Sequence, residues 1–299
     1  MMFLGLECVM ENPAQRGARK GHVMKLAKRL VPLPVKLRIK DYLGERKKAR
    51  LFGALAPLVP RVSEMYDGPQ SMEEFKQNGE EFFEIYKTVC GLQPEERMLD
   101  VGSGIGRKTW PLTQYLNERA AYEGFDVNKV GVDWCRERYS SRFPNFHFRQ
   151  IDVYNKTYNP QGKYQPTEYR FPFDDGSFSF VMLGSVFTHM LPGDLEHYLS
   201  EIHRVLTRGG RCLITYFLLN DESLKHIDSG ESTLDMRYAF EKYRTISRET
   251  PEAAIAFEEA WIRERYGGLG LKIIRLDYGS WCGRQKNLSY QDLVFAVKE

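Results

Sequence analysis

The sequence predicts an α/β fold: a seven-stranded sheet, mostly parallel, with an antiparallel last strand and helices on both faces. Three observations carry this expectation. From residue 71 onward, short apolar runs alternate with helical patterns, the arrangement of a parallel sheet covered on both sides. The last two runs follow one another with no helix between them, so they form an antiparallel hairpin. The first run ends in an acidic residue and leads directly into a glycine-rich turn.

Taken in order, Ser71-Met-Glu-Glu74 reads as a capping box opening a helix whose apolar face is Phe75, Phe82, Phe83 and Tyr86, ending near Gly91. Strands are expected at Arg97–Val101, Ala121–Asp126, Phe146–Ile151, Phe178–Leu183, Arg211–Phe217, Leu271–Asp277 and Asp292–Val297. Helices are expected at Lys108–Glu118, Lys129–Ser141 and Asp194–Leu206, with a further helical region from about Thr233 to Arg265. The stretch Tyr154–Arg170, rich in Tyr, Pro, Asn and Gln, reads as an inserted loop, and loops of that length are often functional.

Composition supports a large buried core. The 299 residues are 42% hydrophobic and include 18 Phe, 17 Tyr and 4 Trp, which excludes a mainly disordered chain or a small disulfide scaffold. The five cysteines, Cys8, Cys90, Cys135, Cys212 and Cys282, are scattered and form no CxxC or zinc-ligand spacing, which fits a reducing compartment. No apolar run reaches the roughly 20 residues of a membrane span. Met1 to Met10 carries no basic region ahead of its apolar stretch and makes a poor signal peptide, so the expected location is cytoplasmic.

The formal charge of +3 is unevenly distributed. Residues 1–50 hold 13 Lys/Arg against 4 Asp/Glu, a net of +9, and the remaining 30 basic and 36 acidic residues give −6. The sequence divides accordingly into a basic arm, residues 1–70, and a regular domain, residues 71–299. Residues 11–22 read as disordered, and Met24 offers an alternative start. Leu26, Leu30, Leu33 and Leu37 recur among basic residues, while Pro32 and Pro34 break any single long helix. Residues 24–50 therefore supply either two short amphipathic pieces for peripheral contact with an anionic membrane or a solvated arm packed on the domain.

The most informative segment is Met98-Leu-Asp-Val-Gly-Ser-Gly-Ile-Gly-Arg107. Gly102, Gly104 and Gly106 permit close backbone approach to a ligand, in a G-x-G-x-G spacing that differs from the dinucleotide fingerprint. No Lys-Ser/Thr pair follows, which excludes a P-loop. Asp126 ends the second strand 20 residues after Gly106, the separation of a carboxylate that binds ribose hydroxyls. Asp152 and Val153 end the third, where a carboxylate can accept from an exocyclic amine and a valine can cover a base. Together these describe a nucleoside pocket.

This set resembles class I S-adenosylmethionine-dependent methyltransferases, in particular the type 11/25-like enzymes acting on small molecules or glycans. The similarity continues through Phe173–Met190 and through Glu201–Ile214, with its Arg-Gly-Gly turn, and spans roughly residues 75–299. It implies a Rossmann-like sheet and S-adenosyl-L-methionine as cofactor. Carried over, Asp100 orients the loop or holds the amino-acid part of the cofactor, Gly102 and Gly104 line the methionine and ribose region, and Asp126 binds ribose. Asp152 takes the adenine amine and Val153 the adenine ring, while Ser103, Gly106, Val127 and Gly184 complete the cofactor set. Trp134 either packs nearby or belongs to the core.

Methyl transfer from a sulfonium needs alignment and proton removal and, in principle, no metal. His189, just after the fourth strand, is the candidate base, against a structural role in capping or backbone bonding. His147, His197, His203 and His226 lack comparable placement. In the last hairpin, Trp281 and Arg284 offer a stacking face and an anion partner for substrate, or else pack against the sheet edge. Leu183-Gly-Ser-Val-Phe187 lacks the Asn/Asp-Pro-Pro-aromatic turn used on nucleobases or amide nitrogens, there is no Pro-Cys nucleophile, and the −6 body disfavours nucleic acid.

The expected activity is therefore O-methylation of a sugar, glycolipid or other small-molecule hydroxyl. The alternatives are an RNA or protein methyltransferase using the basic arm, an aminopropyltransferase (for which no acid-rich amine site is evident), and a non-catalytic cofactor-binding module.

Overall fold

The computed structural model describes residues 32–66 and 68–299. The expected readings over residues 11–22 and of Met24, Leu26 and Leu30 lie outside them. The strands in chain order are β1 (Arg97–Val101), β2 (Ala121–Asp126), β3 (Phe146–Gln150), β4 (Phe178–Leu183) and β5 (Leu206–Tyr216). The short strands β6 (Leu218–Leu219), β7 (Tyr238–Ala239), β8 (Tyr243–Thr245) and β9 (Ile255–Glu258) follow, then β10 (Leu271–Asp277) and β11 (Asp292–Lys298). The main sheet has the order β10-β11-β5-β4-β1-β2-β3. Strands β1 to β5 pair in parallel, and β11 runs antiparallel to both β5 and β10.

The helices are α1 (Leu33–Phe52), α2 (Met72–Thr88), α3 (Lys129–Cys135), α4 (Pro192–Val205), α5 (Asp221–Asp228) and α6 (Glu259–Gly268). A π-helical turn, Arg136–Ser140, continues α3 across the expected span. Because side chains alternate across a strand, β1 sends Leu99 and Val101 to one face and Met98 to the other. The first face packs on α4 and α6 through Leu199, Ile202 and Ile262. The second packs on α2 through Phe75, Phe82 and Tyr86. Each such side chain contributes about 1.5–3 kcal/mol on burial.

Three expectations change. Residues 108–118 form turns and a 3₁₀ segment, Trp110–Gln114, in place of a regular helix. Pro111 lacks the N–H that would bond to Arg107, which interrupts the α-helical ladder. The region 233–265 is helical only from Glu259; before it, β6-β9-β8-β7 make a second, four-stranded sheet. Helix α1 begins at the proline pair, with Pro32 as its N-cap and Pro34 in the first turn, where a missing N–H is harmless; the expected piece before it, residues 24–31, lies outside the described residues.

Finally, the core extends into the arm. Phe52 lies edge-on to Trp110 at 5.1 Å, and Leu58, Val59 and Val62 are buried with α2. The Tyr139 hydroxyl donates to the Leu58 carbonyl at 2.8 Å. A boundary at residue 70 therefore falls within one packed body. At the start of α2, Ser71 accepts the Glu74 N–H, while the Glu74 carboxylate reaches back to Gln70 N–H, one residue beyond the expected capping box. No described helix is long and apolar enough to cross a membrane.

Candidate active site

Parallel strands align their C-terminal ends, and one edge therefore collects the glycine loop after β1, Asp126 at the end of β2, Asp152 after β3 and residues 184–189 after β4. In the loop, Gly102, Gly104 and Gly106 have φ of 81°, 56° and 79°, left-handed values that glycine adopts without a Cβ clash. The loop is pinned to β2 by Gly102 and Ser103 N–H groups donating to the Phe125 carbonyl at 2.9 and 3.0 Å. Asp126 locks its top: one carboxylate oxygen accepts Gly104 N–H and the other Asn128 N–H, each at 2.8 Å.

Two of these glycines also answer to packing. A Cβ on Gly102 would collide with Val186, so that glycine allows the segment after β4 to close on the loop. At Gly106 a Cβ would sit 2.8 Å from the Tyr139 ring, so this glycine also permits close packing against the π-helical turn. Gly106→Ala is expected to cost about 2–4 kcal/mol through overpacking and left-handed strain, measured by chemical denaturation.

Asp100 is buried and accepts the Tyr122 hydroxyl at 2.7 Å, and Tyr122 in turn shares a hydrogen bond with Thr109 at 2.8 Å. Burial pushes its carboxyl up, against the opposing pull of Lys108, the Tyr122 hydroxyl and Arg107. Asp100 thus braces the loop from within. Lys108, which sequence reasoning passed over, is buried beneath the loop; its ammonium reaches the Gly184 carbonyl at 3.3 Å and lies 4.9 Å from the Phe82 ring. Its position directly after the glycine loop was the available signal. Gly184 has no room for a side chain because Lys108 and Met182 fill the space.

Farther along the edge, Asp152 is exposed and accepts Asn159 Nδ2 at 3.3 Å, while Val127 is half-buried and Val153 is buried in the core. The inserted loop folds back on them through Tyr164 N–H to the Asp152 carbonyl at 3.0 Å. Its Tyr158 ring meets Tyr66 at 5.7 Å, and Tyr66 packs so closely over Gly131 that a Cβ there would strike its hydroxyl. Sequence alone gave no signal that Tyr66 would join this edge. Trp134 packs edge-on against Tyr139 at 6.0 Å and belongs to the core.

After β4, Ser185 holds φ of 64°, strain of about 1–3 kcal/mol for a non-glycine residue. Its N–H donates to Thr215 Oγ1 at 2.7 Å, and both its hydroxyl and that of Thr215 donate to Gln291 Oε1, at 2.9 and 2.6 Å. His189 is exposed four residues on, with Nδ1 2.8 Å from the Glu252 carbonyl. Below it, burial pushes the Asp194 carboxyl up, opposed by the Leu191 N–H, and Glu252 adds to the rise. His197 and His226 are engaged elsewhere, with the Tyr169 carbonyl and Glu231.

Trp281 and Arg284 do not form a lip. Trp281 is fully buried against Phe217, and its Nε1 donates to Asp292 at 2.8 Å. Arg284 is clamped by Glu222 at 2.7 Å, Asn220 at 3.1 Å and Asp292 at 3.4 Å. The buried Asp292 carboxylate needs these donors, and that requirement turns both side chains inward.

The residues at this edge fit a nucleoside cofactor. Ser103 Oγ is buried without a hydrogen-bond partner among the described residues, and the Asp126 carboxylate at the end of β2 accepts the N–H of the next loop residue, Gly104. The sequence model of a methyltransferase domain family matches residues 92–265. The chain is 30% identical over 174 residues to the Xenopus laevis eEF1A lysine and N-terminal methyltransferase, covering 52% of the chain and 22% of that relative. It is 32% identical over 120 residues to phthiotriol/phenolphthiotriol dimycocerosates methyltransferase 1 of Mycobacterium ulcerans, covering 40% of the chain and 37% of that relative. The chain thus spans well under half the length of these curated relatives. A crystal structure of a Pyrococcus horikoshii OT3 protein shares the fold at a TM-score of 0.51 and 15% identity, covering 79% of this chain and 95% of that one. The chain belongs to the methyltransferase domain family.

Proposed function

We propose that the protein methylates a hydroxyl of a sugar, glycolipid or other small molecule, with His189 as the base. The observation that carries this reading is the Nδ1 contact of His189 with the Glu252 carbonyl at 2.8 Å. A carbonyl only accepts, so Nδ1 carries the hydrogen and the Nε2 lone pair is left to take a proton. A hydroxyl acceptor needs such a group.

In this reading, Asp126 holds the ribose hydroxyls, Asp152 the adenine amine, and Val127 with Val153 the base. Gly102, Ser103 and Gly104 line the methionine side, and Asp100 keeps the loop in shape. When bound, the cofactor supplies a methyl group on a positively charged sulfur; the protein's part is to align the acceptor and accept its proton.

Two of the relatives are named for lipid acceptors: the dimycocerosates enzyme and a fatty-acid O-methyltransferase of Mycolicibacterium smegmatis, 30% identical over 126 residues. A mouse arsenite methyltransferase also matches, at 28% identity. The match to the eEF1A enzyme supports a second reading, methylation of protein amines.

His189→Ala is expected to lower turnover about 100- to 10,000-fold on a glycolipid extract while leaving S-adenosylhomocysteine affinity unchanged. Turnover equal to wild type would remove His189 from the chemistry.

A further inference from the structure

We infer that the outer face of α1 is a docking surface for an anionic lipid membrane. Helix α1 carries seven Lys/Arg against two Asp/Glu, a net of +5 in 20 residues. Its inner side is settled by contacts. Gly44 is buried where a Cβ would approach Val62 at 3.3 Å and Met72 at 3.5 Å. Lys48 donates to the Val59 carbonyl at 3.2 Å, and Lys47 pairs with Glu73 at 2.8 Å.

Among the described residues, the opposite side has no such cover. At about 100° per residue, Val35, Tyr42 and Arg46 fall within about 40° of one another and half a turn from Gly44. Val35, Tyr42 and Leu43 are 44%, 64% and 53% exposed. Arg38, Arg46 and Arg50 are exposed around them, with the Arg46 guanidinium 6.0 Å from the Tyr42 ring. An aromatic ring, two aliphatic side chains and three arginines together suit the boundary between anionic headgroups and acyl chains.

Nucleic acid fits less well. A phosphate backbone would make no use of exposed Val35 and Leu43, and the −6 body repels a polyanion. A lipid surface uses both the charge and the apolar anchors. Docking through α1 leaves the cofactor edge unaltered, because none of these residues belongs to it, and it concentrates the enzyme where lipid-borne hydroxyls are found.

The test is sedimentation of the full chain with vesicles of phosphatidylcholine, alone and with phosphatidylserine. Binding is expected to require phosphatidylserine and to weaken as ionic strength rises. An Arg38→Glu/Arg46→Glu/Arg50→Glu variant is expected to lose at least about 100-fold in partition, at roughly fivefold per charge. Tyr42→Ser/Leu43→Ser is expected to lose about tenfold. Both variants should bind S-adenosylhomocysteine as wild type does, which verifies folding. Three results would overturn the inference: wild type left in the supernatant, the arginine variant sedimenting like wild type, or single-stranded RNA displacing the protein from the vesicles.

Discussion

Replacing Asp126 with alanine is expected to weaken S-adenosylmethionine binding by at least about 100-fold, since the proposed role of this carboxylate gives it two charge-assisted hydrogen bonds to ribose, at about 1.5–3 kcal/mol each. The carboxylate also holds the loop, accepting Gly104 N–H and Asn128 N–H at 2.8 Å, so its removal releases the backbone that would meet the cofactor. Asp126→Asn retains one acceptor oxygen and the shape of the side chain, and is expected to fall between wild type and alanine. Titration calorimetry with S-adenosylhomocysteine measures both. Equal affinities in all three proteins would place the ribose elsewhere.

The second large effect lies away from the pocket. Asp292→Ala is expected to cost about 3–5 kcal/mol, because it strips a buried acceptor from several donors at once. These are the N–H groups of Leu218 and Gly279 at 2.7 Å each, Trp281 Nε1 at 2.8 Å and the Arg284 guanidinium at 3.4 Å. Burial pushes the Asp292 carboxyl up to about 6 despite the Gly279, Leu218 and Trp281 donors and Arg284. Its pKa is therefore higher folded than unfolded, and the folded protein takes up this proton first as the pH falls. Wild type should gain stability over Asp292→Ala between pH 7.5 and pH 5, read as a widening gap in urea midpoints. A gap that narrows over that range would contradict the assignment.

How much of this was legible in the sequence depended on whether the determinant was local. Strands β1, β2, β4 and β10 fall where apolar runs bounded by turns place them, and the antiparallel β11 follows from the absence of a helix after β10. The second sheet was not legible. Residues 252–266 are dominated by Ala, Glu, Ile and Arg and read as helix, yet Ile255–Glu258 pairs with Leu218–Leu219 and Tyr243–Thr245. That is a tertiary effect overriding propensity. The same holds for Trp281 and Arg284, whose sequence neighbourhood shows glycines and polarity but not the Asp292 carboxylate that gathers them. The strand-end acids stood out because their spacing is fixed by the fold. The Ser185–Thr215–Gln291 group joins residues far apart in the chain, with no local signature.

The central claim, hydroxyl methylation with His189 as base, is tested most directly by where a labelled methyl group goes. Purified protein is incubated with methyl-labelled S-adenosylmethionine and a mixture of glycolipid extract and soluble protein, and the products are resolved by mass spectrometry. The account predicts label in ether-linked methyl groups on the glycolipid fraction, lost with His189→Ala. Label confined to protein lysines or N-termini, undiminished in His189→Ala, would contradict it.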